Sequence, residues 1–333
     1  MTQGILLVGG MGTRLLPLTK TVPKPMLPLA GLPVTEHQLA MAKRAGITSI
    51  VLATSYLSEV FLPYFGDGSK WGMKIQYAIE NQPLGTGGAI RNAAQLLNAD
   101  ESIVILNGDV LSSHDLLAQI AFHEASDADV TLHLTHVDDA RAFGCVPIDE
   151  EGRVTAFLEK MDQPITNTIN AGCYVFHPRV IEQIPAESVV SIEREIFPAL
   201  IDEGRRVFAV VDDSYWLDIG TPSALLKGSR DLVQGTANSA ALDGADVTFR
   251  STDFVAMADV LLDPTAQIGA GSSIAAHAVI EAGAVVQGSI ISEGAIIGQG
   301  AQVLNSFVSA GSRVPAKMQL DDQYFGSEGI FPL

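Results

Sequence analysis

The sequence predicts an α/β protein whose doubly wound, mostly parallel sheet is followed by a smaller domain built as a short β-helix. Three observations carry this. Up to about residue 235, short β-rich apolar runs alternate with helical stretches. A glycine loop, Gly9-Gly10-Met11-Gly12, follows the first apolar run. From Leu262 onward one apolar residue recurs at steps of six. At 333 residues the chain is also too long for one ordinary core.

Along the chain, Ile5–Val8 reads as a first buried strand. Glu36–Ala45, Gly88–Leu97 and Leu116–Ala125 read as helices, and Ile50–Ala53, Ile103–Leu106 and Val130–Leu134 as strands between them. Such alternation implies helices on both faces of a parallel sheet, with ligands at the carboxyl ends of strands where strand order reverses. The glycine loop and Asn107-Gly108-Asp109 both fall at such ends. Residues 236–258 are rich in Ala, Asp, Ser and Thr without clear periodicity, and read as a linker. The expected division is therefore a site-bearing domain over 1–235, a linker over 236–258, and a β-helix with its tail over 259–333.

In the last part the apolar series is Leu262, Ile268, Ile274, Ile280, Val286, Ile291, Ile297, Val303, Val308 and Val314. The step shortens to five from Val286 to Ile291 and from Val303 to Val308. Each aliphatic side chain points inward from one flat face, which gives a short prism whose ends must be capped or paired. Ile290, Ile296 and Phe307 add apolar bulk beyond the inward stack. The β-helix is thus expected to pack on the first domain or on a second subunit, and a homo-oligomer, a dimer first, is expected.

Composition excludes several classes. The chain is 47% hydrophobic, yet no apolar run reaches the ~18 residues of a membrane span. Residues 1–10 lack the basic start and long apolar core of a signal peptide. The two cysteines, Cys145 and Cys173, read as reduced core residues of a cytoplasmic protein. A formal net charge of −18 argues against nucleic acid and anionic membranes as partners. It also makes phosphate binding depend on local cations and a metal.

Gly9, Gly10 and Gly12 let the backbone approach a ligand and expose N–H groups to an anion, and Thr13 extends that cradle. Arg14 and Lys24 add two cations. The spacing is neither G-x-G-x-x-G nor G-x-x-x-x-G-K-[ST], so the dinucleotide and P-loop readings do not apply. Asp109, at a strand end, can hold Mg²⁺ against phosphates; taken alone, it and Asp218 each read as turn or cap residues ahead of metal ligands. In Glu159-Lys160 the lysine can neutralise a phosphate and the glutamate can accept sugar hydroxyls, or the pair is a solvated strand end. Ser191 reads as a helix N-cap. Gln82-Pro83-Leu84-Gly85-Thr86-Gly87-Gly88 is a second glycine loop opening a helix. The seven histidines form no metal-spaced cluster, and no Ser–His–Asp arrangement is supported.

The run Gly9 to Thr19 with Pro23-Lys24-Pro25-Met26-Leu27-Pro28 resembles the signature of the sugar-nucleotide pyrophosphorylases, G-G-x-G-T-R-L-x-P-L-T followed by P-K-P-M-L-P. The likeness is dense over residues 4–225 and rests on the repeat alone over 262–314. Within that family the nearer likeness is to bacterial mannose-1-phosphate guanylyltransferases. It lies in Ala142–Pro147 around Gly144, Ile169–Tyr174 and Ser191–Pro198. The resemblance implies a Rossmann-like catalytic domain joined to a left-handed parallel β-helix. It implies that an NTP and a sugar 1-phosphate give an NDP-sugar and pyrophosphate. It pairs Asp109 and Asp218 on one Mg²⁺, gives Arg14 the leaving phosphates and Lys24 the α-phosphate region, and makes Gln82, Gly85 and Thr86 the base-recognition loop. Gly144, Glu159, Lys160, Asn170, Gly172 and Glu193 become the sugar-phosphate side. GTP with mannose 1-phosphate is the expected pair, and thymidylyl or uridylyl transfer to glucose 1-phosphate is the alternative, because Gln82 stands where the guanylyltransferases carry a glutamate. A catalytically silent regulatory paralogue, and a β-helix acyltransferase using His277, are the other readings.

Overall fold

The computed structural model describes residues 2–55, 57–80 and 82–333. The chain forms two compact units that interleave in sequence. One comprises Met1–Gly10, Gln38–Val110 and His114–Trp216; the other comprises Met11–His37, Leu111–Ser113 and Leu217–Leu333. The expected boundary at residue 235 does not follow these units. The signature segment after Gly10 and the chain from Leu217 belong with the β-helix.

The first unit is built on a nine-stranded sheet. Its strands are β1 (Gln3–Leu7), β2 (Ser49–Thr54), β3 (Lys74–Ile79), β4 (Ile103–Asn107), β5 (Val130–His136), β6 (Gly144–Cys145), β7 (Leu158–Glu159), β8 (Thr168–Phe176) and β9 (Val207–Val211). The order is β7-β6-β8-β4-β1-β2-β3, with β5 against β8 and β9 outside β5. Strands β1 to β4 pair in parallel. Strand β8 runs antiparallel to both β4 and β5, and β9 is parallel to β5. Of the parallel strands, β4, β1 and β2 lie inside the sheet, which is why Ile5, Val51 and Ile105, in register on β1, β2 and β4, are all fully buried. Their core continues through Ile90, Leu132, Tyr174, Phe176 and Phe197.

Helix α1 (Val34–Arg44) follows the signature segment, α2 (Gly85–Ala94) opens directly from the second glycine loop, and α3 (Leu116–Ala125) coincides with its expected range. The Asp115 carboxylate caps α3 by accepting the Ala118 N–H at 3.0 Å. Strand order reverses at β1, since β2 and β3 lie to one side and β4 to the other. At that point the Gly108 N–H donates to the Leu7 carbonyl at 2.9 Å. A side chain on Gly108 would lie 2.5 Å from that carbonyl oxygen, so only glycine allows the two strand ends to close up.

The second unit holds α4 (Pro222–Gln234) and the β-helix. Helix α4 is fully punctuated: Thr221 accepts the Ala224 N–H at its start, Pro222 occupies the first turn, and Gly235 ends it in the left-handed region. The β-helix has three parallel walls. One runs through Phe254–Met257, Ser272–Ile274, Ile290–Ile291, Phe307–Val308 and Gln323–Gly326. A second runs through Leu261–Leu262 to Arg313–Val314, and the third through Gln267–Gly269 to Gln319–Asp321. The apolar series forms the interior; Ile274 to Val314 are buried, while Leu262 and Ile268 at the start are partly so.

Ser272, Ser289 and Ser306 stack at one corner at intervals of 17, and the five-residue steps fall at the corners of Ser289 and Ser306. Each hydroxyl accepts the backbone N–H of the next coil, Ser289, Ser306 and Gln323, at 3.2, 3.0 and 3.1 Å. The hydroxyl thus pairs a backbone donor at the corner. Part of the expected linker belongs here: Val247–Arg250 pairs antiparallel with Phe254–Met257, which is the first strand of the wall. Gly329–Pro332 does the same at the far end, so antiparallel strands cap both edges of that wall. Ile290 and Phe307, expected as surface bulk, are buried within the chain itself, Phe307 stacked on Tyr324. The outward apolar side chains that remain exposed are Phe249, Leu261, Ile330 and Phe331.

Candidate functional site

In the second unit the signature segment presents its cations to one carboxylate. Gly12 has φ +57, and a Cβ there would press on Thr19 and Lys24 at 3.0–3.1 Å. Its carbonyl accepts the Thr19 hydroxyl at 2.8 Å, and Thr13–Leu15 forms a single 3-10 turn anchored by buried Leu15. This turn leaves Thr13 and Arg14 exposed. The Lys24 side chain is only 10% exposed, and its ammonium lies 3.6 Å from Asp218 Oδ1. Arg14 reaches Oδ2 of the same carboxylate at 3.8 Å. Arg14, Lys24 and Asp218, expected from three separate motifs, are thus brought together. A side chain on Gly220 would strike Asp218 and Arg14, so this glycine keeps room for the pair.

In the first unit Gly9 and Gly10 leave the end of β1, Gly10 with φ +110 and open space where a side chain would stand. Asp109 leaves the end of the adjacent β4. Among the described residues no group of three or more His, Cys, Asp or Glu is placed to hold a metal. A hard cation that keeps most of its waters needs only one or two carboxylates, and both aspartates supply suitable oxygen donors. Asp109 and Asp218 belong to different units.

The sugar-phosphate candidates form two clusters in the first unit. Gly144 pairs with Glu159 across β6 and β7, and a Cβ on Gly144 would lie 2.9 Å from Phe157 and 3.0 Å from Glu159 Oε2. Lys160 follows in the left-handed region and is largely exposed, with its ammonium 3.6 Å from Glu159. The second cluster sits at the bulge of β8. The Asn170 amide donates to the Tyr174 hydroxyl at 2.7 Å and its carbonyl accepts the Gly172 N–H at 3.1 Å. Gly172 has φ +77, and a Cβ there would lie 2.8 Å from the Asn107 amide nitrogen. Burial drives the Tyr174 hydroxyl well above its usual range, so it stays a neutral donor and acceptor. Asn107 was quoted only as part of a strand end, yet its Oδ1 is buried and has no hydrogen-bond partner among the described residues.

The second glycine loop is held by chain contacts that sequence spacing did not reveal. Val190 N–H donates to the Leu84 carbonyl at 2.9 Å, and Gly87 N–H donates to Val190 at 2.8 Å. A Cβ on Gly88 would meet the Ser188 carbonyl oxygen at 2.5 Å. These glycines therefore serve backbone packing against residues 188–190. Thr86 donates to Glu193 at 2.7 Å and accepts the Ile192 N–H at 2.9 Å; Ser191 also donates to Glu193, at 2.9 Å. Glu193, expected as a sugar contact, is bound to Thr86 of the second glycine loop. The Ser191 hydroxyl accepts the Arg194 N–H, as its N-cap reading requires. Glu80 accepts the Leu84 N–H at 3.2 Å, and burial raises its carboxyl above the usual range. Gln82 is exposed. Cys145 and Cys173 are buried and unbridged, and burial holds the Cys173 thiol far above its usual value. No helix among the described residues is long and apolar enough to cross a membrane.

Within the second unit two cations converge on one carboxylate. Residues 3–235 match the nucleotidyl transferase family, and the chain belongs to it. It is 54% identical over 243 residues to the mannose-1-phosphate guanylyltransferase of Mycobacterium tuberculosis, across 73% of this chain and 67% of that one. It is 34% identical over 273 residues to the mannose-1-phosphate guanyltransferase of Pichia angusta, across 81% and 74%. Among solved structures, HddC from Yersinia pseudotuberculosis complexed with GMP-PN is similar with a TM-score of 0.60 at 30% identity, over 69% of this chain and 99% of that one.

Proposed function

We propose that this nucleotidyltransferase makes GDP-mannose and pyrophosphate from GTP and mannose 1-phosphate. The observation that carries the reading is the convergence of Arg14 and Lys24 on Asp218. The 54% identity to the mycobacterial guanylyltransferase supports the choice of substrates. The phosphate oxygen of the sugar is already charged at neutral pH, so it needs no general base. It attacks the α-phosphorus in line, and pyrophosphate leaves. Catalysis is then positioning and charge neutralisation.

Arg14 takes the leaving phosphates, and Lys24 the α-phosphate region. The backbone N–H groups of Gly9, Gly10, Gly12 and Thr13 complete the cradle. Lys160 holds the incoming sugar phosphate, with Glu159, Asn170, Gly172 and the unpartnered Oδ1 of Asn107 toward the sugar hydroxyls. Nucleotidyltransferases of this family use a divalent metal. Asp109 and Asp218 are the residues that would hold Mg²⁺, which supplies positive charge to substrate phosphate oxygens. The substrates are soluble, which fits a cytoplasmic reaction. Exposed Phe249 and Leu261 at the start of the β-helix, and Ile330 and Phe331 at its far end, offer two apolar places for a second subunit.

The test is pyrophosphate release across a matrix of NTPs and sugar 1-phosphates. GTP with mannose 1-phosphate is expected to give the highest kcat/KM. Exposed Gln82 favours the second reading, dTTP or UTP with glucose 1-phosphate, and that pair leading the matrix would replace the first.

A further inference from the structure

The β-helix carries no assigned chemistry, yet the phosphate cations are tethered to it. Between Lys24 and α1 the chain makes a two-residue hairpin, Pro28–Leu29 against Leu32–Pro33. Its turn residues, Ala30 and Gly31, have φ +48 and +87, the left-handed pair of a tight I′ turn. Alanine tolerates that conformation poorly, and hairpin turns of this kind normally face water. Here Ala30 is fully buried. Its N–H donates to Ser229 Oγ on α4 at 3.0 Å, and Ser229 Oγ lies 3.1 Å from Ser273 Oγ on the Ser272–Ile274 strand of the β-helix. Both serines are buried. A Cβ on Gly31 would lie 2.5 Å from Met257, so this side of the turn is pressed against the β-helix as well.

Two further contacts close the frame. Lys20, four residues before Lys24, pairs with Glu328 in the turn of the C-terminal hairpin. Arg230, next to Ser229 on α4, bonds Asn305 at 3.3 Å and packs over Gly271 and Gly288, which lie on one corner of the β-helix. Asp218 lies just ahead of α4, and Lys24 sits between the Lys20 tether and the Ala30 tether. Both partners of the ion pair are therefore carried by segments docked on the same compact unit.

We propose that the β-helix is the positioning scaffold of the phosphate-binding segment, and that Ser229 and Ser273 are positioning residues acting through Ala30 on Lys24. The proposal rests on the reading that Lys24 and Arg14 meet the nucleotide phosphates. Neither serine touches substrate. Removing the Ser229 hydroxyl leaves a buried N–H without its acceptor, and removing that of Ser273 unpins Ser229 from the coil.

The test uses full-length Ser229→Ala, Ser273→Ala and Ser229→Thr. Pyrophosphate affinity is read by calorimetry, KM separately for nucleotide and sugar phosphate, and stability by thermal melting. Ser229→Ala and Ser273→Ala are expected to weaken pyrophosphate binding and raise the nucleotide KM by about 10-fold, as a displaced binding group does. The sugar-phosphate KM stays unchanged, and Ser229→Thr, which keeps the hydroxyl, restores nucleotide binding. Ser273→Ala changes the coil by one buried oxygen only, so it serves where Ser229→Ala folds poorly. Unchanged pyrophosphate affinity in a stable Ser273→Ala protein overturns the proposal. So does a parallel loss of both substrates' binding with the melting temperature, which marks packing alone. A wild-type protein that binds pyrophosphate but turns over no tested substrate pair refutes the proposed reaction and leaves this inference to the calorimetry.

Discussion

Oδ1 of Asp218 stands 3.6 Å from the Lys24 ammonium, which is nearly buried. A buried ammonium needs a counter-charge, and before a nucleotide arrives this carboxylate provides it. In the proposed reaction, incoming phosphates would take over that role and leave Asp218 to a metal. Asp218→Asn is therefore expected to cut kcat by at least ~10²-fold and to lower stability by about 1–2 kcal/mol. Asp109→Asn is expected to cut kcat similarly with little change in folding. Steady-state kinetics in Mg²⁺ beside thermal melts check both; wild-type turnover in either variant removes that aspartate from the mechanism.

The two substrates are expected to be gripped by separate cations. Arg14→Ala and Lys24→Ala each leave phosphate charge unneutralised and should cripple turnover. Lys160, exposed and paired only loosely with Glu159, should act on the second substrate. Lys160→Ala raises the KM for the sugar phosphate and leaves the nucleotide KM alone. An effect confined to the nucleotide would reverse the assignment of the two subsites.

Gly172 and Gly88 mark where backbone must pass close to its neighbour. Gly172→Ala forces a side chain into left-handed backbone and against Asn107. It is expected to cost about 1–3 kcal/mol and to weaken sugar-phosphate binding. Gly88→Ala meets the Ser188 carbonyl instead, and should disturb the nucleotide KM through the Thr86–Glu193 contact. Chemical denaturation with separate KM measurements distinguishes the two. A sugar-phosphate effect from Gly88→Ala would show that this loop does not face the base.

Four buried histidines set the acid limb of stability. Burial lowers His37 and His123 to about 4 and His133 to about 3, and it also lowers His114, whose ring stacks on His133 at 3.9 Å. Each is neutral in the folded chain and takes a proton more readily when unfolded. Their stabilisation is complete above the unfolded value near 6.5 and is lost as pH falls from there toward 4 and 3. The loss approaches about 1.4 kcal/mol per pH unit for each of His37, His123 and His133 in that window, and His114 acts in the same direction. Melting temperature should fall steadily from pH 7 to pH 5, before the carboxylates titrate. A flat profile over that range contradicts the burial of these rings as neutral groups.

Local pattern made most of the fold legible. The range of α3, the interior series from Ile274 to Val314 and the short corner steps could all be read from spacing, because each reflects contacts within a few residues or a fixed repeat. The site was legible as residue types but not as partners. Thr86 and Glu193 are 107 residues apart, Ser229 and Ser273 are 44 apart, and no periodicity links either pair. The capping strand Val247–Arg250 was hidden for a different reason. Three of its four residues are exposed, so it lacks the apolar alternation that marks a strand.

In the proposed reaction, base selection comes down to the loop that opens α2. A carboxylate two residues before Gln82, that of Glu80, has the chemistry to read guanine, since it accepts from both N1–H and the exocyclic amine. In the structure it accepts the Leu84 N–H and shapes the loop. Base reading then falls to Gln82, whose amide offers one donor and one acceptor. That suits a pyrimidine edge as well as a guanine edge, so the wild-type preference for GTP over dTTP and UTP should be moderate, roughly 10- to 100-fold. Gln82→Glu restores the two-acceptor match to guanine and presents an unpaired acceptor to the carbonyl of thymine or uracil. It is expected to raise the GTP-to-dTTP ratio of kcat/KM by about 10-fold. Glu80→Gln should loosen the loop and raise every nucleotide KM without moving that ratio. A ratio that shifts with Glu80 and ignores Gln82 would return base reading to the glutamate.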